Sequence, residues 1–459
     1  MTLPLIIIIV YLITIFVISI YSIRLSKGVM GFLLAERGFS TSIVAVMIAG
    51  LAIGGASTVG VAEQAYEAGI SAGWYNGAWA AGAIVFALLA ASKYRKISMT
   101  TIPEIIGKFF GEPSRILAII CQIFIQIIIT SLQYVAGGAI LASLLPDIFT
   151  LKSGMITSAI VFITITAAGG YWAAGLGNFV NVIVIYSGII TSLLMSIRSS
   201  GGFNSIVQSL PPEKPWFNLF EGIGLPVISA WFIVMITQAF STQSVCQISF
   251  AAKNEKSARN GFIIGGILIF PVGFICALMG IISAATFPDI KPALALPKII
   301  LKSHPLSAGL ALAGLWAADV STATGLLISS STLVVQDIAG KYFKKNLNER
   351  EQFIATKIIT IAISIITFIL ALTVSGILKT LLIGLTLATP LTIVILASLY
   401  TPSLCRKSSA LWTIVAGIAA LGLWVFIPGL RFGPHPIFEV WFICLLVFLI
   451  VRFIDRRPI

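Results

Sequence analysis

The sequence predicts an all-α integral membrane protein of about thirteen transmembrane helices, and three observations lead there. Of 459 residues, 58% are hydrophobic and only 10% are charged. Runs of about 18 or more apolar residues, the length that crosses roughly 30 Å of hydrocarbon, recur along the chain. The basic residues behind the net charge of +13 fall in the short stretches between those runs. There they orient a membrane protein and make no nucleic-acid surface.

The first span, 3–23, has no basic residue before it and positive charge after it, so it reads as a retained helix and not a signal peptide. The second, 41–61, is interrupted. Its segment AGLAIGGASTVG (49–60) carries Gly50, Gly54, Gly55 and Gly60, which weaken a helix, with Ser57 and Thr58 adding polarity. Spans three to six fall at 70–92, 116–142, 153–168 and 178–197. The seventh, 224–245, runs into ITQAFSTQSVCQ (236–247), which places Thr237, Gln238, Ser241, Thr242, Gln243 and Ser244 at membrane depth. Spans eight and nine are 262–286 and 309–336, and the last four are 354–373, 378–400, 410–428 and 435–453. Freed backbone survives at that depth only inside protein or along a cavity, where its carbonyls and amides become ligands. A glycine-rich packing seam is the alternative for 49–60.

The ninth span carries the most information. In its middle Asp319 stands beside Ser321 and Thr322, and clustered polar groups at that depth mark a functional site by default. Ala318, Ser321 and Thr322 share one helical face, which Gly325, Ser329 and Thr332 continue. That oxygen-rich stripe can pack closely against a neighbour or ligate a cation.

Lys and Arg divide 21 to 8 between the two sides if the N-terminus lies outside and the C-terminus inside, and that division requires an odd number of spans. The five cysteines lie in or at the edge of spans without a paired motif, so neither a disulfide framework nor a metal site is implied. Connections at 93–115, 198–223, 287–308 and 337–353 are too short for a soluble domain. His304 and His435 lie in outer loops and no zinc-protease helix motif occurs, which argues against an enzyme. A channel needs a continuous lined pore, and two broken helices fit an occluded midplane site better.

The interrupted spans are the second and seventh, five apart, so each opens a five-helix unit, and five being odd makes the units inverted. Matching discontinuous helices in two inverted halves point to a secondary transporter. The organisation expected is an N-terminal helix and inner loop (1–40), a first repeat (41–197), an outer loop (198–223), a second repeat (224–400), and two C-terminal helices with an inner tail (401–459).

FLLAERGFS (32–40), GGASTVGVAEQAYEAGISAGWY (54–75), TIPEIIGKFFG (101–111), AAKNEKSARNG (251–261) and AADVSTATGLLISSSTLVVQDI (317–338) occur in that order. With them the chain resembles the sodium/solute symporter family over nearly its whole length. The resemblance implies the inverted-repeat fold of the leucine-transporter type and alternating access driven by sodium. It implies a sodium site of backbone carbonyls at Gly50 and Ile53 with the Ala318 carbonyl and the Ser321 and Thr322 hydroxyls. Sodium is a hard cation that takes oxygen ligands, in keeping with those groups. By position it implies solute contacts at Ser57, Asn76 and Ser241, with Gln238 and Thr242 as neighbours. Trp74, Tyr75 and Trp79 either wall the cavity or anchor the membrane interface.

Two departures stand out. Where many members carry a Thr-Asp pair, this chain has Gly177 and Asn178, so a carboxylate is missing. Asp319 instead occupies a usually apolar position, and it is expected to support the sodium site from behind Ala318 or to couple a proton. The alternative is an Asp bonded to nearby backbone or hydroxyls without a transport role. Glu63 and Glu67, near the outer end of the second helix, are expected to be solvated, with an entrance lining as the alternative. Asp337 is expected to pair with Lys341, Lys344 and Lys345, and Glu104 to be structural. No Lys or Arg falls centrally in the site-lining spans, which favours a neutral, zwitterionic or monoanionic solute over a dicarboxylate. The expected protein is a monomeric transport unit in the plasma (inner) membrane. It takes sodium and a small polar organic solute, without organic cofactor or nucleic acid, and a transporter-like solute sensor is the rival.

Overall fold

The computed structural model describes residues 3–26, 28–97, 99–337, 349–373 and 376–459. Among the described residues there are helices and no strand, with isolated bridges at Phe39–Ala252 and Arg406–Pro458. Among the described residues, nine helices are long and apolar enough to cross a membrane, and two bent pairs raise the number to eleven. Leu151–Thr166 and Ile361–Ala371 are shorter apolar helices.

Local chemistry sets the helix starts. Ser40 caps Thr41–Ala52 by accepting from the Ile43 amide, and Thr150 opens Leu151–Ser199 with a capping box to Ser153. Asn254 caps Glu255–Thr286 through the Ser257 amide. The fifth and sixth spans meet at Gly170, whose φ of +61° breaks the helix. The sixth span therefore begins at Gly170 and runs to Ser199, two turns earlier than the apolar pattern alone suggests.

Burial separates the helices by role. Only 28% of the apolar window is buried in Ile6–Ile23 and in Ile437–Ile454, which show large side chains such as Phe442 and Phe453 outward. The window of Pro305–Asp337 is buried completely. Its polar residues therefore face protein, never lipid. It is seated against Gly170–Ser199 by missing side chains. A Cβ on Gly188 would lie 2.6 Å from the Ala311 Cα, and one on Gly314 would lie 2.8 Å from the Val184 carbonyl oxygen.

At one end of the bundle the Phe39 amide donates to the Ala251 carbonyl at 3.0 Å and the Lys253 amide to the Phe39 carbonyl at 2.8 Å. This joins the start of the second span to the end of the seventh. At the same end Arg115 and Asp337 pair at 2.5 Å. At the opposite end the Tyr66 hydroxyl bonds the Phe287 and Pro288 carbonyls at 2.6 Å, and the Ile70 amide donates to the Trp216 carbonyl at 2.8 Å.

Candidate functional site

Both sequence-read interruptions are real breaks. Thr41–Ala52 and Ala56–Ala68 meet at 57°, and Leu225–Ser241 and Gln243–Ala251 meet at 50°. Each leaves main-chain groups without helical partners, and one helix, Glu112–Leu144, supplies both repairs. Gln122 donates to the Ser241 carbonyl at 2.5 Å and accepts from the Gln243 amide at 2.9 Å. Gln133 accepts from the Gly55 amide at 2.8 Å. An orphaned buried amide or carbonyl is costly, so these side chains hold the breaks open as ordered structure.

The second and ninth spans meet at a cluster of converging oxygens. Ser321 Oγ lies 2.8 Å from the Gly50 carbonyl oxygen and 2.9 Å from that of Ala318. Thr322 Oγ1 lies 2.9 Å from the Gly50 carbonyl oxygen and 3.2 Å from that of Leu51. Ile53 follows as the helix C-cap, with φ −87° and ψ 73°, which turns its carbonyl off the helix direction. All of these groups are neutral. They are the donor set a small hard cation takes, from two elements that a cation would hold together.

Asn178 lies directly behind this cluster. Its side-chain amide sits 2.7 Å from where a Cβ on Gly50 would be. It accepts from Asn181 at 3.0 Å and contacts the Met47 sulfur at 3.3 Å, while Asn181 accepts from the Tyr11 hydroxyl at 2.8 Å. That network is wholly neutral. An acidic side chain lies close by. Asp319 is 1% exposed, faces the Gly55 amide, and has no hydrogen-bond partner on either carboxylate oxygen.

Between the two breaks lies a cavity of about 20 Å³, room for roughly one water. Gly54, Tyr75, Trp79, Gln133, Gln238 and Ser244 form its wall, with Thr322 shared from the cation cluster. Of the residues picked for solute contact from sequence, Gln238 lines it. Ser57 instead donates to the Ala52 carbonyl, and Asn76 to that of Ile269 at 3.3 Å. Ser241 is committed to the eleventh span, through the Ala388 carbonyl at 3.0 Å and the Thr392 hydroxyl at 2.7 Å. The Thr242 hydroxyl is buried without a partner at the break itself.

The family model for the sodium:solute symporter family matches residues 32–417. The chain belongs to the sodium:solute symporter family. Membership makes it a sodium-coupled multi-pass membrane transporter and not an enzyme. Among its relatives, the osmoregulated proline transporter OpuE of Bacillus subtilis (strain 168) is 23% identical over 98% of this chain and 94% of that protein. The sodium/pantothenate symporter of Escherichia coli (strain K12) is 24% identical over 72% and 70%. Its fold matches a substrate-bound, outward-open Na+-coupled sialic acid symporter with a TM-score of 0.84 at 16% identity, covering 100% of this chain and 99% of that one.

Other residues of the symporter fall into place around the site. Tyr75 and Trp79 wall the cavity and bond each other at 3.3 Å, whereas Trp74 stacks on Phe220 and donates to the Leu219 carbonyl at 3.0 Å. Glu67 is exposed as expected, but Glu63 is half-buried and accepts from the Ile377 amide at 3.5 Å. Asp337 pairs with Arg115, and Lys341, Lys344 and Lys345 lie outside the described residues. Glu104 accepts from the Thr100 amide at 2.8 Å, a structural role. All five cysteines are free and buried.

Gln122 and Gln133 escaped sequence reading. Their signal was available: Gln122, Gln126 and Gln133, four and eleven residues apart, share one face of an otherwise apolar helix.

Proposed function

We propose that this symporter imports a small polar organic solute by alternating access, with sodium bound by the Gly50, Ile53 and Ala318 carbonyls and the Ser321 and Thr322 hydroxyls. One observation carries the reading. Four neutral oxygens from a broken helix and a fully buried helix converge within hydrogen-bonding distance. A cation there favours whichever arrangement keeps the two elements together, which is how occupancy biases a conformational cycle.

The solute binds between the breaks where the one-water cavity widens in the transport cycle, with Gln238, Ser244, Gln133, Tyr75 and Trp79 as contacts. Relatives named as transporters of proline, pantothenate and glucose support a small polar solute. Thirteen spans in two inverted repeats, 41–197 and 224–400, complete the architecture when Leu151–Thr166 and Glu349–Ala371 are counted as spans. The chain works as a monomer in the plasma membrane, N-terminus outside and C-terminus inside, as its basic residues direct.

The test is uptake into proteoliposomes against a panel of proline, pantothenate, sugars and related solutes. Concentrative uptake that requires an inward sodium gradient is the expected result. Uptake of every tested solute that ignores sodium removes the reading. A second reading, with a proton carried on Asp319 as coupling ion, is favoured by the absence of a partner for that carboxylate. It predicts uptake driven by a pH gradient in sodium-free buffer. Solute binding with no uptake under either gradient would point to a sensor.

A further inference from the structure

Asp319 raises a question that the four neutral oxygens do not answer. Its carboxylate is enclosed at 1% exposure inside a helix that is buried on all sides, and neither oxygen meets a donor. Among the described residues, no Lys or Arg forms an ion pair with it. An ionised carboxylate in that position is strongly disfavoured unless a cation or a proton joins it.

The surroundings are suited to such a charge. Asp319 Oδ1 lies 2.9 Å, and Gln133 Oε1 3.4 Å, from the place a Cβ on Gly55 would occupy. Thr322 Oγ1 and Gln133 Oε1 lie 2.5 and 2.7 Å from the corresponding place on Gly54. Three oxygens from two helices thus approach a Gly-Gly pair, where the absence of side chains allows the close packing, with the Ala136 Cβ up against the Gly55 position. Gln133 Oε1 accepts one amide proton and keeps a second lone pair. Asp319 stands behind the wall of the solute cavity, to which Gln133 and Thr322 belong.

We propose that Asp319, Gln133 and Thr322 form a second cation site at the Gly54–Gly55 break, separate from the Ala318–Ser321 cluster and sharing only Thr322 with it. One carboxylate calls for one monovalent cation, and oxygen-only ligands call for a hard one. The proposal rests on the sodium reading above and extends it to two sodium ions per chain. The second ion ties the break of the second span to the fourth and ninth spans together.

Equilibrium binding of radioactive sodium to the purified symporter tests this without knowing the solute. Two ions per chain are expected for the unsubstituted protein, with one in Asp319→Asn, and in Ser321→Ala two ions of which one binds about tenfold more weakly. Each variant is checked for a monodisperse gel-filtration peak, and Asp319→Ser replaces Asp319→Asn if the latter does not fold. One ion per unsubstituted chain overturns the second site, and so does a count of two in Asp319→Asn. An unsubstituted chain that binds no sodium overturns the sodium reading itself, and this extension falls with it.

Discussion

Gln122 and Gln133 stand eleven residues apart, three turns of one helix, and each satisfies the main chain of a different broken span. The two breaks are therefore held in register by a common rod. Replacing either glutamine with leucine strands buried backbone groups at about 1–3 kcal/mol each. Gln122→Leu strands two, the Ser241 carbonyl and the Gln243 amide, and Gln133→Leu strands one, the Gly55 amide. Thermal unfolding in detergent should show the larger loss for Gln122→Leu, and equal losses would contradict this account.

Ser321→Ala removes one hydroxyl from the oxygen cluster and leaves the Gly50 and Ala318 carbonyls in place. Losing one charge–dipole contact of about 1.5 kcal/mol raises the sodium concentration for half-maximal uptake about tenfold. The maximal rate at saturating sodium should change far less. A rate loss with unchanged sodium affinity would place Ser321 outside the ion site.

Gly55→Ala puts a methyl group against Ala136 and 2.9 Å from Asp319 Oδ1, so a tightly packed helix pair must separate. Sodium-dependent uptake should fall more than about tenfold while the protein still reaches the membrane, since about 1.4 kcal/mol is tenfold. Gly60→Ala is the control. There the added methyl meets only the Ile377 and Leu378 side chains, the nearest at 3.0 Å, which can give way. Equal damage from both substitutions would show that helix propensity, not the approach of Asp319, sets the need for Gly55.

The Arg115–Asp337 pair is lopsided, with side-chain exposures of 15% and 1%. Arg115→Met leaves an enclosed carboxylate without its cation and should cost about 3 kcal/mol. Asp337→Asn leaves an arginine that can turn toward water and should cost less. The double variant Arg115→Met, Asp337→Leu should recover part of the loss in a thermal unfolding series. An Asp337→Asn variant as unstable as Arg115→Met would contradict the asymmetry.

Much of this site is written in local pattern. The glycines at 50, 54 and 55, the polar run at 236–247, and Ser321 and Thr322 one turn from Ala318 are visible because they violate the apolar rule of their own spans. Gly170 is harder to read, because its positive φ turns a continuous apolar stretch without any loop residues. Solute contacts are harder still. Ser241 looks available in sequence, yet Thr392, 151 residues on, takes its hydroxyl, and only tertiary packing decides that. Asp337 likewise finds Arg115, 222 residues away in sequence.

The complete enclosure of the central apolar window of Pro305–Asp337 has a consequence for how that stretch can vary. A helix with one side toward lipid, such as Leu3–Ile23, offers a permissive edge that recurs every turn. The ninth span has none. Saturation mutagenesis should trace a wave of tolerance with the period of a helix along the first span, and an unbroken band of intolerance along the ninth.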